Sequence, residues 1–304
     1  MPHKIGILLV TYNQIEKTRS WIEKFYSNGF NSDNTRLLVL DNNSEDSTFS
    51  ILQREFPDLD IRLLNDNYGP TVGRNIGISE LFEMGCDTYF GFDPDVQFNE
   101  HEYFQKSICF LDEHPDLDGF TPILRWYEDL SIQGLGGRKS TLGVMKTVRE
   151  ITDNHSVHFI PGGSSVIKMT AFHKYGIYDN DLAPVGAEDY EWGYRMSKLG
   201  GKLEYNPDLE VIHFHEKTAQ NTNLTQKRWI FISRAIFLRK HFSFGHLLRE
   251  LMYFNDSLIT FDLRYIISSY MEGMRKKLNP DSCSFATFLE IDRTQFYSNQ
   301  NQPD

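Results

Sequence analysis

A chain of 304 residues, 40% hydrophobic and 24% charged, has the make-up of a globular protein able to bury a full α/β core and carry an extension. Its net charge of −11 excludes nucleic acid as the main partner, since phosphate backbones are held by clustered Lys and Arg. Cys86, Cys109 and Cys283 are odd in number and far apart, neither a disulfide framework nor a zinc pattern, so a reducing compartment is expected.

The first hundred residues alternate between two hydrophobic periods. Lys4–Thr11 is a continuous apolar run, as in a strand covered on both faces, and Ile15, Ile22 and Phe25 recur at helical spacing. Arg36–Leu40 reads as a second strand ending at Asp41, with Asn42–Asn43–Ser44 as a turn that caps a helix. Ile61–Leu64 is a third strand, followed by Asn65–Gly69 and a helix with Pro70 in its first turn. Thr88–Phe92 is a fourth, delivering Asp93 and Asp95. Repeated units of this kind predict an α/β fold with a doubly wound, mostly parallel sheet.

Leu117–Leu124 reads as a further strand. Trp126–His155 is polar, holds several glycines and keeps no period, so a mobile flap is expected there. Val157–Lys168 is strand-like and split by Pro161–Gly162–Gly163. A helix is predicted over Glu188–Leu199, ended by Gly200–Gly201, then two short strands over Leu203–Tyr205 and Val211–His215. From Thr225 the pattern is helical only. Trp229, Ile232, Ile236 and Leu238 share one side, Leu247, Leu248, Leu251 and Met252 follow, and Leu258–Met274 is a third apolar stretch.

The expected division is therefore 1–224 for the sheet domain, with halves 1–100 and 101–224, and 225–304 for a helical extension. Residues 225–304 carry eleven Lys/Arg against eight Asp/Glu, a net +3, which leaves −14 on residues 1–224. The extension is expected to pack on the sheet domain or on a second copy in a homo-oligomer, ahead of peripheral contact with a membrane surface. Ser298–Asp304 is expected to lack order. The N-terminus has no secretory leader pattern, and no apolar stretch approaches the roughly 20 residues of a span. The expected location is cytoplasmic, or peripheral at the inner face of the cell membrane.

Chemistry-bearing residues gather at predicted strand ends, where open α/β sheets bind ligands. Thr11–Tyr12–Asn13 offers hydroxyl and amide groups to a heterocyclic base, and Asp41 can accept from a base imide or a ribose hydroxyl. Asn65–Gly69 with Gly73–Arg74–Asn75–Ile76–Gly77 offers close backbone approach and one arginine for a phosphate. Neither a dinucleotide fingerprint nor a P-loop is present. Asp93–Pro94–Asp95 places two carboxylates two residues apart, which suits Mg²⁺ or Mn²⁺ carrying a diphosphate. Glu188–Asp189 opens a helix whose positive end favours the ionised form, keeping Asp189 deprotonated and ready as a general base. Glu191 and Arg195 form an i, i+4 pair worth about 0.2–0.5 kcal/mol. Trp192 either stacks on a sugar or packs in the core. His213 and His215 alternate to one side of a strand end, and imidazole is a good Mn²⁺ ligand.

Taken in order, Val10–Thr11–Tyr12–Asn13, Asp41–Asn42–Asn43–Ser44, the Asn/Gly loop with Arg74, Asp93–Pro94–Asp95, Pro161–Gly162–Gly163–Ser164–Ser165 and Gly186–Ala187–Glu188–Asp189–Tyr190–Glu191–Trp192 resemble the family 2 glycosyltransferases with the GT-A fold. The resemblance covers roughly residues 4–218. It implies that Thr11, Asn13 and Asp41 hold the nucleotide base and that Arg74 lies near base or phosphate. It implies Asp93 near ribose or metal, Asp95 as a ligand of the divalent ion, and Asp189 as the catalytic base of an inverting transfer. The stretch from Gly200 to Glu204 with His213 is similar to the polypeptide N-acetylgalactosaminyltransferases, which implies His213 as a metal ligand ahead of His215. The expected activity moves a sugar from a nucleotide-diphosphate donor, UDP-hexose ahead of dTDP-rhamnose, to a saccharide or lipid-linked saccharide. The alternatives are a catalytically silent GT-A subunit that scaffolds a partner transferase, a sugar-1-phosphate nucleotidyltransferase and a metal-dependent hydrolase.

Overall fold

The computed structural model describes residues 3–28, 33–99, 101–139, 145–184, 186–215, 224–242 and 263–298. Strand β1 (Ile5–Thr11) lies between β2 (Thr35–Asp41) and β4 (Thr88–Phe92), parallel to both, and β3 (Asp60–Leu63) extends the parallel set beyond β2. Helices α1 (Ile15–Ser27), α2 (Thr48–Glu55) and α3 (Gly69–Glu83) are the crossovers. On the other side of β4 the sheet becomes mixed. β11 (Ser164–Lys168) runs antiparallel to β4 and to β6 (Gly119–Trp126), and β6 is parallel to β12 (Leu203–His213). Short strands β5 (Val96–Phe98), β7 (Ile132–Gly134) and β10 (Ser156–Val157) border β12, β6 and β12 in turn. One face packs on α1 and α4 (Tyr103–Glu113) through Trp21, Phe25, Phe98 and Phe104; the other packs on α3, α5 (Met169–Tyr175) and α6 (Glu188–Lys198) through Leu8, Leu81, Phe172 and Trp192.

Three expectations need correction here. Residues 203–215 do not form two short strands: β12 is continuous, and Pro207 falls where its register shifts between Asn206 and Glu210, a bulge that tolerates a residue without an N–H. Trp126–His155 is not a structureless flap. It holds β7 and a hairpin of β8 (Gly137–Lys139) with β9 (Met145–Thr147), although residues 140–144 lie outside the described set. The glycines of Gly73–Gly77 serve packing, because a Cβ on Gly77 would lie 2.3 Å from the Leu8 side chain. They let α3 press on β1.

Among the described residues the C-terminal part holds α7 (Leu224–His241), α8 (Leu263–Arg275) and α9 (Phe285–Leu289). Phe231, Ile232, Ala235, Ile236 and Leu238 of α7 are buried in a core shared with Leu182, Tyr194 and Tyr270. Lys240 reaches the buried Asp179 at 2.6 Å and Asp181 at 2.7 Å. The chain then returns to the far edge of the sheet, where Tyr297 bridges Leu64 and the Ser298 amide donates to the Leu63 carbonyl at 3.0 Å. Leu247, Leu248, Leu251 and Met252, and residues 299–304, lie outside the described residues. Among those described, no helix is long and apolar enough to cross a membrane, and Cys86, Cys109 and Cys283 are free thiols.

Candidate active site

The strand order reverses at β1, so the carboxyl ends of β1, β2 and β4 open onto one crevice. Asp41 ends β2 fully buried. Its Oδ1 accepts from the Ser44 amide at 2.8 Å, while its Oδ2 has no partner among the described residues. Burial pushes this carboxyl up, against the Ser44 hydrogen bonds. An orphaned buried acceptor is costly, so the atom is one that an incoming N–H or O–H would satisfy. Thr11 is different: its buried hydroxyl is spent on the Thr18 hydroxyl at 2.8 Å. Asn13, at φ 52°, accepts from the Glu45 amide at 2.7 Å and donates its own amide to Ser44 Oγ at 2.9 Å. Thr11 and Asn13 thus brace the loops after β1 and β2, and Tyr12 is exposed beside them.

Arg74 does not present its guanidinium to solvent for a phosphate. The side chain is buried, with Nη2 donating to Asp93 Oδ1 at 2.7 Å and Nη1 to Glu188 Oε1 at 3.2 Å. Although burial opposes its charge, the two carboxylates hold its pKa above the normal arginine value. Gly162 and Gly163 close over this bridge; a Cβ on Gly163 would sit 2.2 Å from Asp93 Oδ2. The Arg74 bridge ties the Asp93–Pro94–Asp95 turn to the start of α6, which residue spacing did not reveal.

Asp95, His213 and His215 converge. Their ligand atoms all lie within 4.8 Å of one another, with His213 Nε2 3.5 Å from Asp95 Oδ1 and His215 Nδ1 3.6 Å from Asp95 Oδ2. Burial pushes Asp95 up, but His213 and Lys17 outweigh it and hold the carboxyl at about 2. Two residues here escaped the sequence reading. Lys17 of α1 donates to Asp95 Oδ2 at 3.3 Å and to the Phe214 carbonyl at 3.1 Å. Gln133 of β7 lies 2.8 Å through Oε1 from His213 Nδ1, a contact that orients the ring with Nε2 toward Asp95. No spacing signal marked either one. Asp93, bound to Arg74, stands outside this three-residue group.

Across the crevice α6 begins after Ala187, at φ 65°, a left-handed backbone that turns the Glu188–Asp189 pair inward. Glu188 is buried and engaged at both oxygens, by Arg74 and by the Gly186 amide at 2.8 Å, so it positions the helix start. Asp189 differs from expectation. Burial first and the neighbouring Glu188 second push its carboxyl up to about 7, against Arg74 and the backbone amides. The helix terminus, worth about 0.3–1 kcal/mol, loses to them. The result suits a proton acceptor near neutral pH better than a low pKa would. Trp192 is a core residue, 1% exposed, donating to the Gly176 carbonyl at 2.7 Å. Glu191 is also buried rather than part of a surface pair: Arg195 grips both its oxygens at 2.9 Å, and His241 of α7 reaches Oε1 at 2.9 Å.

The sequence pattern of Glycosyl transferase family 2 matches residues 7–176, more than half of the chain. The chain belongs to that family. Among solved structures, the mannosyltransferase PcManGT from Pyrobaculum calidifontis in complex with GDP-Man and Mn²⁺ is similar at TM-score 0.56 and 14% identity, over 91% of this chain and 88% of that one. TarS 1–349 from S. aureus, in complex with UDP-GlcNAc, gives 0.57 and 15% over 89% and 81%. GalNAc-T7 with UDP, GalNAc and Mn²⁺ gives 0.62 and 14% over 96% of this chain, which spans only 57% of that protein. No curated protein matches. The fold of this glycosyltransferase is therefore GT-A, and its general chemistry is glycosyl transfer. The family match includes Asp41, Arg74, Asp93 and Asp95 but stops before Asp189, His213 and His215.

Proposed function

We propose that this glycosyltransferase moves a hexose from a UDP-sugar to a hydroxyl of a saccharide or lipid-linked saccharide, with inversion at the donor carbon; dTDP-rhamnose is the competing donor. The observation that carries the reading is the Asp93–Arg74–Glu188 bridge, which ties the turn that bears Asp95 of a three-residue cation site to the start of the helix that bears Asp189, a carboxylate of raised pKa. The unpartnered Asp41 Oδ2 supports placing the nucleobase or ribose at the end of β2.

Asp95, His213 and His215 would hold a divalent cation. One carboxylate and two imidazoles suit Mn²⁺ better than Mg²⁺, and Gln133 orients the His213 ring for ligation. When bound, such an ion neutralises diphosphate charge as the nucleotide departs. The chain's own groups do the rest. Asp189, half-ionised near neutral pH, takes the proton of the acceptor hydroxyl, while Arg74 and Glu188 keep α6 and the Asp-Pro-Asp turn in register.

Calorimetric titration with UDP- and dTDP-sugars, with Mn²⁺ and with chelator, tests the donor and the ion together. NMR of the product's anomeric proton tests inversion. Full turnover in excess chelator would remove the cation from the reading, and a product with the donor's anomeric configuration would remove Asp189 as base.

A further inference from the structure

The segment Ser131–Arg149 carries Arg138, Lys139, Lys146 and Arg149 and no acidic residue, in a chain whose first 224 residues are net −14. Among the described residues none of the four forms an ion pair with a carboxylate. Arg138 donates to the carbonyls of Ser156, at 2.7 Å, and Asn154. Lys139 lies over the Tyr194 ring at 5.1 Å, and Arg149 donates to the Gln133 carbonyl at 3.2 Å. Lys139, Lys146 and Arg149 are exposed. The field is felt locally: burial, with Lys139 and Arg138, pushes His158 down.

This hairpin is not a remote surface. Gly137 at its base donates to the Phe159 carbonyl at 3.0 Å, and the Phe159 ring stacks on Tyr190 with centroids 4.0 Å apart. Tyr190 directly follows Asp189, and Arg149 is among the cations that oppose the rise of its phenol, after burial and Asp189 have raised it. On the other side, Arg149 bonds the same Gln133 that orients His213. The basic strand pair and Arg149 just beyond it thus touch, through Phe159 and Tyr190, the start of the helix that carries Asp189 and, through Gln133, the residue that contacts His213.

We infer that the basic surface formed by Arg138, Lys139, Lys146 and Arg149 is the acceptor subsite and that the acceptor is anionic, a saccharide or polyol chain bearing carboxylate or phosphate groups. This inference rests on the glycosyl-transfer reading above. An acidic protein repels a polyanion in general, so a confined basic surface beside the base steers and registers such a chain where the rest of the surface would exclude it. Their contacts to carbonyls and to the Tyr194 ring leave the positive charge of the four cations unneutralised by any carboxylate among the described residues, and an anionic acceptor would neutralise it.

The test measures binding of three fluorescent oligomers of equal length: a uronic-acid oligosaccharide, a polyol-phosphate oligomer and a neutral glucan. UDP-sugar binding with Mn²⁺ is measured in parallel on the same full-length chain. One or both anionic oligomers should bind at least about tenfold more tightly than the glucan and weaken as salt rises, and which of the two binds identifies the anion. The variant Arg138→Gln/Lys139→Gln/Lys146→Gln/Arg149→Gln should lose that preference while keeping donor affinity. Lys139→Gln/Lys146→Gln, which spares the hairpin's hydrogen bonds to carbonyls, should lose part of it. Equal binding of all three oligomers, or unchanged binding by the fourfold variant, overturns the inference. So does loss of donor binding in the variants, which would assign the cations to the diphosphate. Binding to phosphatidylglycerol vesicles that depends on the four cations, with no anionic oligomer bound, would make this surface a membrane contact and also overturn it. Failure of UDP- and dTDP-sugars alike to bind the unaltered chain would instead sink the donor reading.

Discussion

Asp189→Asn should yield a protein that is nearly inactive yet more stable, and more so as pH rises. In the folded chain burial and Glu188 lift the Asp189 carboxyl from 3.8 to about 7. Below pH 3.8 both folded and unfolded chains hold the proton; between 3.8 and 7 only the folded chain does. Stability therefore falls as pH climbs through that window and levels off above it. The rise from 3.8 to about 7 corresponds to at most about 4 kcal/mol of penalty for the ionised form. Asparagine mimics the protonated carboxyl, so its advantage should approach this ceiling at pH 8 and about a third of it at pH 5. The loss of a helix-terminal charge, about 0.3–1 kcal/mol, subtracts a smaller amount. For a chain of this size, with about 2.1 cal/mol/K of unfolding entropy per residue, the gain at pH 8 is at most about 6 °C in Tm. Scanning calorimetry at both pH values, in chelator and without nucleotide, reads it directly. Turnover should meanwhile fall about 10²–10⁴-fold. A variant no more stable than the parent at pH 8, or with the same gain at both pH values, would refute the buried-base argument.

Gln133→Leu removes the acceptor on His213 Nδ1 and should weaken Mn²⁺ binding about 10–100-fold, measured by electron paramagnetic resonance without nucleotide. Gln133→Glu, which keeps an acceptor, should retain it; equal affinity in the Leu variant would deny Gln133 a positioning role. Arg74→Met strands the buried Glu188 carboxylate, while the half-exposed Asp93 can turn to water, and should cost about 3–5 kcal/mol in urea unfolding near neutral pH. Lys240→Met leaves Asp179 and Asp181 uncompensated between α7 and the sheet domain and should cost a similar amount, about 3–5 kcal/mol by the same measurement. Unchanged midpoints in either variant would mark these bridges as dispensable.

The strands β1 to β4 and the carboxylates at their ends were legible because continuous apolar runs and turn residues mark parallel strands from local sequence alone. Alternation at a strand end put His213 and His215 on one side, and the resemblance implied that His213 joins Asp95; the structure brings all three together. What was not legible came from distance along the chain. Arg74 looked like a phosphate ligand because its partners lie 19 and 114 residues away, and only the folded crevice brings them together. Gln133 sits on a three-residue strand, too short to show a period. Asp189 was misjudged because a helix terminus is visible in sequence, whereas the burial that outweighs it is not. Pro207 and Asp208 broke the pattern of β12 into two pieces that a bulge rejoins.

The return of the last described residues to Leu63 and Leu64 has a consequence for how the protein is made. β3 is the outer strand of the parallel set, and until Tyr297 and Ser298 arrive its backbone groups beyond Leu63 are open to any extended chain. The nascent β1 to β3 must therefore wait for Tyr297 and Ser298 to leave the ribosome before this border is covered. At about 5–20 residues per second, the two hundred and more residues between them impose a delay of about ten seconds or longer. Through that interval the unguarded border is a natural place for a chaperone to act.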